Sequence, residues 1–376
     1  MKNIDDYLDY EEEFHPKGKR ESRKERRETR AKDRSKYKKS DQDQKREHLK
    51  NEEPPLGANY LRGRILSISP ELILVSSGPE TFQCALKGSL KKEKTKHKNL
   101  IAVGDWVHFE KKSVDSGVIA HIEKRSSFLI RAENLSRRKQ QLIAANIDQV
   151  FIVMSVVSPK FKPLLVDRYI LSAVKGNMEP IVLLNKIDLL DNPPEQFSKE
   201  EIDAEKLTYE EFLEAYETLD LTVLPLSVST GENLDQLKKL MQGKTSVFSG
   251  QSGVGKSSLI NATFGSALPI GPIAHKTNKG SHTTTAAELI PLENDAFCID
   301  TPGIKSFGLW ENDPAAILEI FPDFAIHAPH CKFNTCTHVH EPDCAIKKAL
   351  EDGTLHPLRY ASYTTLLEDT PPKEWE

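Results

Sequence analysis

Three changes of texture along the chain predict a multidomain protein: a small closed β-barrel, a central α/β layer structure, and a mostly α module rich in cysteine and histidine. Between Leu56 and Arg131 the sequence holds about five short β-type runs separated by turn residues, which fit a barrel of the OB type better than an open sheet with bare edges. From Leu142, apolar runs of strand length alternate with helix-like stretches, the pattern of buried parallel strands covered by helices. Beyond Phe307 the chain turns short, polar and Cys/His-rich, then helical through Cys344–Leu350. The divisions read from this are 1–55 for a charged extension, 56–131 for the barrel, 132–308 for the α/β domain and 309–376 for the Cys/His module.

The extension comes first. Lys17 to Lys39 contains no aliphatic residue except Ala31, so it has nothing with which to build a core. It reads equally as a solubilising tail or as an arm that orders on nucleic acid, with the preceding acidic residues (Asp5, Asp6, Asp9, Glu11, Glu12, Glu13) available to mask it. This unevenness makes the net charge of -4 uninformative about partners. No apolar run approaches the ~18 residues of a membrane span, and the chain opens on charged residues and not on an apolar signal segment. A soluble cytoplasmic monomer with no membrane partner is expected.

In the barrel, strands are expected at Gly63–Ile68, Leu72–Val75, Thr81–Leu86, Trp106–Phe109 and Gly117–Ile122. The Lys-rich insert from Lys87 to Lys98 would be a loop on it, either gripping nucleic acid or simply solvated. In the α/β domain the expected strands are Val150–Met154, Ile181–Leu184, Val223–Leu226, Ser246–Phe248 and Ala296–Ile299.

The motifs sit at the ends of these strands. Gly250-Gln251-Ser252-Gly253-Val254-Gly255-Lys256-Ser257, followed by Ser258, matches the full phosphate-loop pattern between a strand and a helix. Its glycines let backbone N–H groups turn inward around phosphates, Lys256 reaches the β- and γ-phosphates, and the Ser257 hydroxyl is suited to ligate Mg²⁺. Asn185-Lys186-Ile187-Asp188 follows another strand, and Asp188 is an acceptor matched to the N1–H and exocyclic amine of guanine. Ser227-Val228-Ser229 resembles the short backbone segment that contacts guanine O6 in GTPases. Asp300-Thr301-Pro302-Gly303 places an acid near the Mg²⁺ water shell and the Gly303 amide near the γ-phosphate. Between them, Gly280–Thr285 is a Thr-rich stretch whose Thr284 is the candidate hydroxyl for Mg²⁺. The guanine-reading motif at Asn185 precedes the phosphate loop at Gly250, the reverse of the order in ordinary small GTPases. The order predicts a circularly permuted P-loop GTPase domain, whose segment Asp300–Phe307 leads straight into the Cys/His module.

Five cysteines, with three crowded near the C-terminus, argue against a secreted disulfide framework. Cys331-x4-Cys336-x-His338-x5-Cys344 supplies three thiolates and one imidazole, the complement of a closed structural zinc site with no position left for a catalytic water. Free buried cysteines are the alternative. His330 and His340 lie nearby as spares, and Cys84 and Cys298 sit in strand patterns as core residues.

Taken together, the permuted motif order, GQSGVGKSS, HTTT, IDTPGIKSFGLW and the Cys/His cluster behind a small barrel resemble the bacterial ribosome small-subunit-dependent GTPase A family (RsgA, also called YjeQ), from Leu56 to the C-terminus. The resemblance implies GTP hydrolysis stimulated by the small (30S) ribosomal subunit, contact with 16S rRNA, a role late in subunit maturation, one structural zinc and magnesium with the nucleotide. The extension before Pro54 has no counterpart in the family pattern. Ile304 stands where many GTPases place a water-orienting glutamine. His282 is the candidate imidazole for that task, beside its reading as an ordinary polar loop residue; the subunit or its rRNA is another source of the catalytic group. A nucleotide-gated RNA-binding scaffold with negligible turnover is the competing reading.

Overall fold

A computed structural model describes residues 59–70, 72–90, 99–131, 141–265, 287–300 and 317–368. The first five strands close on themselves. They are β1 (Tyr60–Ile68), β2 (Ile73–Ser77), β3 (Glu80–Leu86), β4 (Trp106–Lys111) and β5 (Ser116–Ile122). Their order is β1-β2-β3-β5-β4, with β4 pairing back on β1 from Tyr60↔Glu110 to Arg64↔Trp106 and β3 parallel to β5. This five-stranded closure is the OB-type barrel. Inward residues alternate along each strand, and Ile65, Val75, Phe82, Val107, Phe109 and Ile119 fill the interior. Cys84 joins them, and burial pushes its thiol up to about 11, so it is an inert core residue.

A hairpin that sequence reading did not find follows: β6 (Phe128–Arg131) pairs antiparallel with β7 (Gln141–Ala145), across the point where barrel and α/β domain were divided.

The α/β sheet contains β8 (Gln149–Ser155), β9 (Glu179–Asn185), β10 (Thr222–Leu226), β11 (Thr245–Ser249), β12 (Glu288–Pro291) and β13 (Phe297–Asp300). Its order is β10-β9-β8-β11-β13-β12, parallel except for β12. The pair Ser67↔Glu288 joins β12 to β1, so one sheet runs from the domain into the barrel. Every residue of β8 is buried, and alternate residues face opposite layers. Val150 and Ile152 pack under α1 (Pro163–Lys175) and α2 (Lys199–Tyr216), while Phe151 and Val153 pack under α3 (Leu234–Met241) and α4 (Lys256–Phe264). A reciprocal capping box between Ser198 and Glu201 starts α2.

The Cys/His module carries α5 (Ala345–Glu351) and a second helix, α6 (Pro357–Glu368), that the sequence did not announce. Phe321, Phe324, Leu358, Tyr363 and Leu366 share one core with α1, α2 and β8. Among the described residues no helix is long and apolar enough to cross a membrane.

Candidate nucleotide site and metal centre

The parallel strands end together at one edge, where β8, β9, β10 and β11 deliver their following loops, the crevice in which α/β sheets bind ligands. The phosphate loop leaves β11 with Gly250, Gly253 and Gly255 all at positive φ (+144°, +84° and +98°). A Cβ on Gly250 would collide with the Val153 carbonyl, and one on Gly255 with the Asn185 amide, so glycine is required at both. Val254 is buried and anchors the loop in the core, whereas Ser252 and Gly253 are exposed. Lys256 opens α4, and its Nζ donates to the carbonyls of Gly250 (2.8 Å) and Gln251 (2.6 Å). Burial pulls its ammonium below the usual lysine range. Ser257 and Ser258 lie in the first turn of the same helix, where N–H groups and the helix dipole favour an anion.

The guanine-reading candidates meet this loop directly. Asn185 Nδ2 donates to the Val254 carbonyl (2.7 Å), and Asn185 Oδ1 accepts from the N–H of Lys186 (2.8 Å). Lys186, at φ +66°, directs Nζ to the carbonyls of Gly253 (2.7 Å) and Ser158. Burial lowers its pKa, with Asp188 opposing. Ile187 N–H is bonded to the Leu226 carbonyl (3.4 Å), and Ser227 Oγ donates to Asp188 Oδ1 (2.6 Å), leaving the carboxylate's other oxygen available. Val228 packs beside this turn against the α3/α4 core. The structure thus gathers Asn185–Asp188, Ser227–Val228 and Gly250–Ser258 at one edge, although the first and last are 65 positions apart in sequence (250 − 185). Asp300 ends β13 by its backbone, paired with Glu288; its side chain, and His282, Thr284, Gly303 and Ile304, lie outside the described residues.

At the other end of the chain the ligand atoms of Cys331, Cys336, His338 and Cys344 all lie within 4.8 Å of one another. Cys331 Sγ is 3.9 Å from Cys344 Sγ, and both sulfurs are 3.5 Å from His338 Nδ1. The edge of a tetrahedron with metal–sulfur bonds of ~2.3 Å is about 3.8 Å, so the donor set and its spacing fit a four-coordinate zinc ion. Burial and the neighbouring sulfurs push the Cys336 thiol up to about 12, a shift that a bound cation would reverse. Glu341 braces the loop: although burial opposes its ionisation, bonds from the Thr337 N–H and hydroxyl (2.8 Å each) and the Val339 N–H hold its carboxyl down at about 2.

Sequence reading missed the residues that join these centres. Arg359 of α6 is 1% exposed, and its Nη1 donates to Asp167 Oδ1 (2.7 Å) of α1. Its Nε and Nη2 donate to Asp323 (3.0 and 3.2 Å), and Nη2 also to the Ile320 carbonyl (3.0 Å). Tyr216 OH of α2 donates to the other oxygen of Asp167 (2.6 Å). No local signal marks Arg359, because an isolated arginine ordinarily lies at the surface.

The barrel is fastened in the same manner. Arg64 of β1, 7% exposed, donates to the Asn146 carbonyl and Thr245 Oγ1 (2.9 Å each) and lies over the Phe297 ring. Desolvation lowers it to about 10 against the pull of Asp148.

A sequence model of the RsgA GTPase family matches residues 122–310. The small ribosomal subunit biogenesis GTPase RsgA of Bacteroides fragilis is 34% identical over 292 residues, covering 77% of this chain and 90% of that protein. Its namesake in Flavobacterium johnsoniae is 37% identical over 290 residues, covering 76% and 86%. Among solved structures, YjeQ from Thermotoga maritima aligns with a TM-score of 0.64 at 28% identity, over 84% of this chain and 100% of that one. YloQ, described as a circularly permuted GTPase, aligns at 0.62 and 26% identity over 85% and 99%. With the motif order, the barrel and the Cys/His cluster on the same chain, these matches leave one assignment: the protein belongs to the RsgA GTPase family, a circularly permuted GTPase.

Proposed function

We propose that this GTPase binds the small (30S) ribosomal subunit and its 16S rRNA late in maturation and hydrolyses GTP to GDP and phosphate under the subunit's control. The carrying observation is the pair of clamps from Asn185 to Val254 and from Lys186 to Gly253, which fixes the base-reading segment on the phosphate loop. The subunit half of the reading follows the relatives, which bear the name of small-subunit biogenesis GTPases. A strip on the barrel is consistent with it: Arg62 lies 3.9 Å over the partly buried Trp106, with His108 and His121 alongside and Glu123 pairing both Arg62 and His108. A cation on an aromatic face beside imidazoles suits phosphate and base stacking.

In this reading Gly250–Ser258 cradle the phosphates, Lys256 neutralises charge on the β- and γ-phosphates, and Asn185, Asp188 and the Ser227–Val228 backbone read guanine. Ser257 and Thr284 would hold a magnesium ion, with Asp300 acting through water, and that ion would neutralise charge developing between the phosphates. The Gly303 amide meets the γ-phosphate, and His282 orients water. Zinc on Cys331, Cys336, His338 and Cys344 folds the module.

Asp188→Asn should lower GTP affinity roughly 100-fold, since a carboxylate accepting two donors is replaced by an amide that offers one of them a donor. Xanthosine triphosphate, which carries the complementary acceptor, should gain in its place. Competition binding with both nucleotides checks this; equal affinity of the wild type for ATP and GTP would sink the base assignment.

Purified small subunits should raise the turnover number. A non-hydrolysable GTP analogue should tighten subunit binding by the same factor by which the subunit tightens analogue binding, typically ~5- to 150-fold for coupled sites. GDP should loosen it. Turnover indifferent to subunits, with equal subunit affinity in both nucleotide states, would return the protein to the scaffold reading.

A further inference from the structure

The zinc module and the base-reading side of the nucleotide site are joined by a continuous path of contacts that is buried from Phe161 to Arg359. It begins at the phosphate loop, where Lys186 Nζ bridges the carbonyls of Gly253 and Ser158. The Ser158 carbonyl also accepts from Ser155 Oγ (2.8 Å), so the turn after β8 is held from both sides. Three residues on, Phe161 is fully buried, and its N–H is bonded to Glu205 of α2 (3.3 Å). Its ring meets Phe212 edge-on at 5.0 Å, and Phe212 stacks on Tyr216 at 4.3 Å. The Tyr216 hydroxyl ends on Asp167, the partner of Arg359, whose guanidinium also lies 4.8 Å over the Tyr216 ring.

From Phe161 onward every link is either a hydrogen bond between buried groups or a packed aromatic pair, and such contacts transmit displacement because interiors are close-packed; between Ser158 and Phe161 the link is the backbone itself. Solvation alone would favour a surface position for Arg359, whereas here its planar fork satisfies two carboxylates and a carbonyl at once. Tyr216 can reach Asp167 only while α2 keeps its register, and that register also carries Phe212 against Phe161. The path enters the nucleotide site at the guanine side, through Lys186, and bypasses Lys256 and Ser257.

We propose that Arg359 is a positioning residue for nucleotide binding: acting through Tyr216, Phe212 and Phe161, it sets the Ser158 turn on which Lys186 rests, so that docking of the zinc module raises guanine-nucleotide affinity without entering the chemical step. This rests on Lys186 being a nucleotide-binding residue, and the test separates the two claims.

The experiment measures binding of a fluorescent GDP derivative and basal GTP turnover in the full-length zinc-loaded protein. Phe161→Leu keeps an apolar side chain but loses the ring edge; Tyr216→Phe loses only the hydroxyl, leaving Asp167 paired with Arg359. Each should raise the Kd for GDP and the KM for GTP about 3- to 10-fold and change kcat less than twofold, a split that general loosening of the fold would not give. Their effects should not add, because both cut one path. On a Lys186→Ala background, which itself weakens GDP binding, Phe161→Leu should have less than a twofold further effect. Arg359→Lys, keeping charge but not the fork, should melt below Tyr216→Phe, because it loses several buried hydrogen bonds where Tyr216→Phe loses one, while showing the same KM-against-kcat split. Wild-type Kd and KM in Phe161→Leu and Tyr216→Phe, or losses that persist undiminished without Lys186, would overturn the proposal. Lys186→Ala binding GDP like the wild type would instead overturn the reading of the base site.

Discussion

Lys256→Ala lowers GTP turnover by at least about 100-fold, the scale seen when one preorganised charge-stabilising group is removed from a transition state. The ammonium is held at the centre of the loop's arc by the carbonyls of Gly250 and Gln251. A phosphate chain in the loop offers it stronger acceptors, and the attraction grows as charge shifts onto the β-phosphate during transfer. Burial removes part of its hydration and lowers its pKa, so each contact to phosphate counts for more than it would in water. The substitution removes no core volume: the residues that anchor this loop are Val254 and Leu259, both buried within the α3/α4 layer. The unfolding temperature should therefore stay within about 3 °C of the wild type. Ser257→Ala should share the phenotype by losing the Mg²⁺ hydroxyl. Steady-state turnover beside a thermal melt checks both, and turnover within about threefold of wild type in either variant would move the phosphate site elsewhere.

Much of this site could be read from sequence because its chemistry is local. A phosphate loop needs its glycines and lysine in one short run, and the buried strands that present it are near-continuous apolar runs, so Val150–Met154 and Ser246–Phe248 fall inside β8 and β11 with edges shifted by a residue. The barrel strands were legible for the related reason that one face alternates inward. What escaped is non-local or lacks a period. The strands of the β6/β7 hairpin are four and five residues long, too short for alternation to announce them. Helix α6 is buried on nearly all sides, with Leu358 to Tyr363 inside without interruption, so it shows no amphipathic stripe. Arg359 finds Asp167 across 192 positions, and nothing near either residue foretells the pairing.

Removing the zinc, or replacing Cys344 with serine, unfolds the module while most of the nucleotide site survives. The four candidate ligands lie on the single segment from Cys331 to Cys344, the residue that caps α5, with His338 at φ +64°. Such a turn is costly for a non-glycine residue unless surrounding contacts impose it. Structural zinc supplies ~10 to 16 kcal/mol in zinc-finger peptides, and that binding energy is folding energy. Here the ligand loop is also tied to α6, since Tyr360 OH donates to the His338 carbonyl (2.8 Å) and Tyr363 OH to the Thr337 carbonyl (3.0 Å). Loss of the ion therefore releases both tyrosines, and the core around Phe321, Phe324 and Tyr363 loses its outer cover. Part of the module is retained by its packing on α1 and α2, so the transition should separate from that of the GTPase domain and fall at lower temperature. Hydrogen exchange across 322–368 should rise by orders of magnitude in the metal-free protein, and subunit binding should fail with it. Basal turnover should persist, because Lys256 and Ser257 lie on α4, on the opposite face of the sheet, while GDP affinity drops only by the severalfold carried through Arg359. Unchanged exchange across the module after quantitative metal removal would show that the cluster does not hold the fold, and a nucleotide site lost together with the module would show that the two are one cooperative unit.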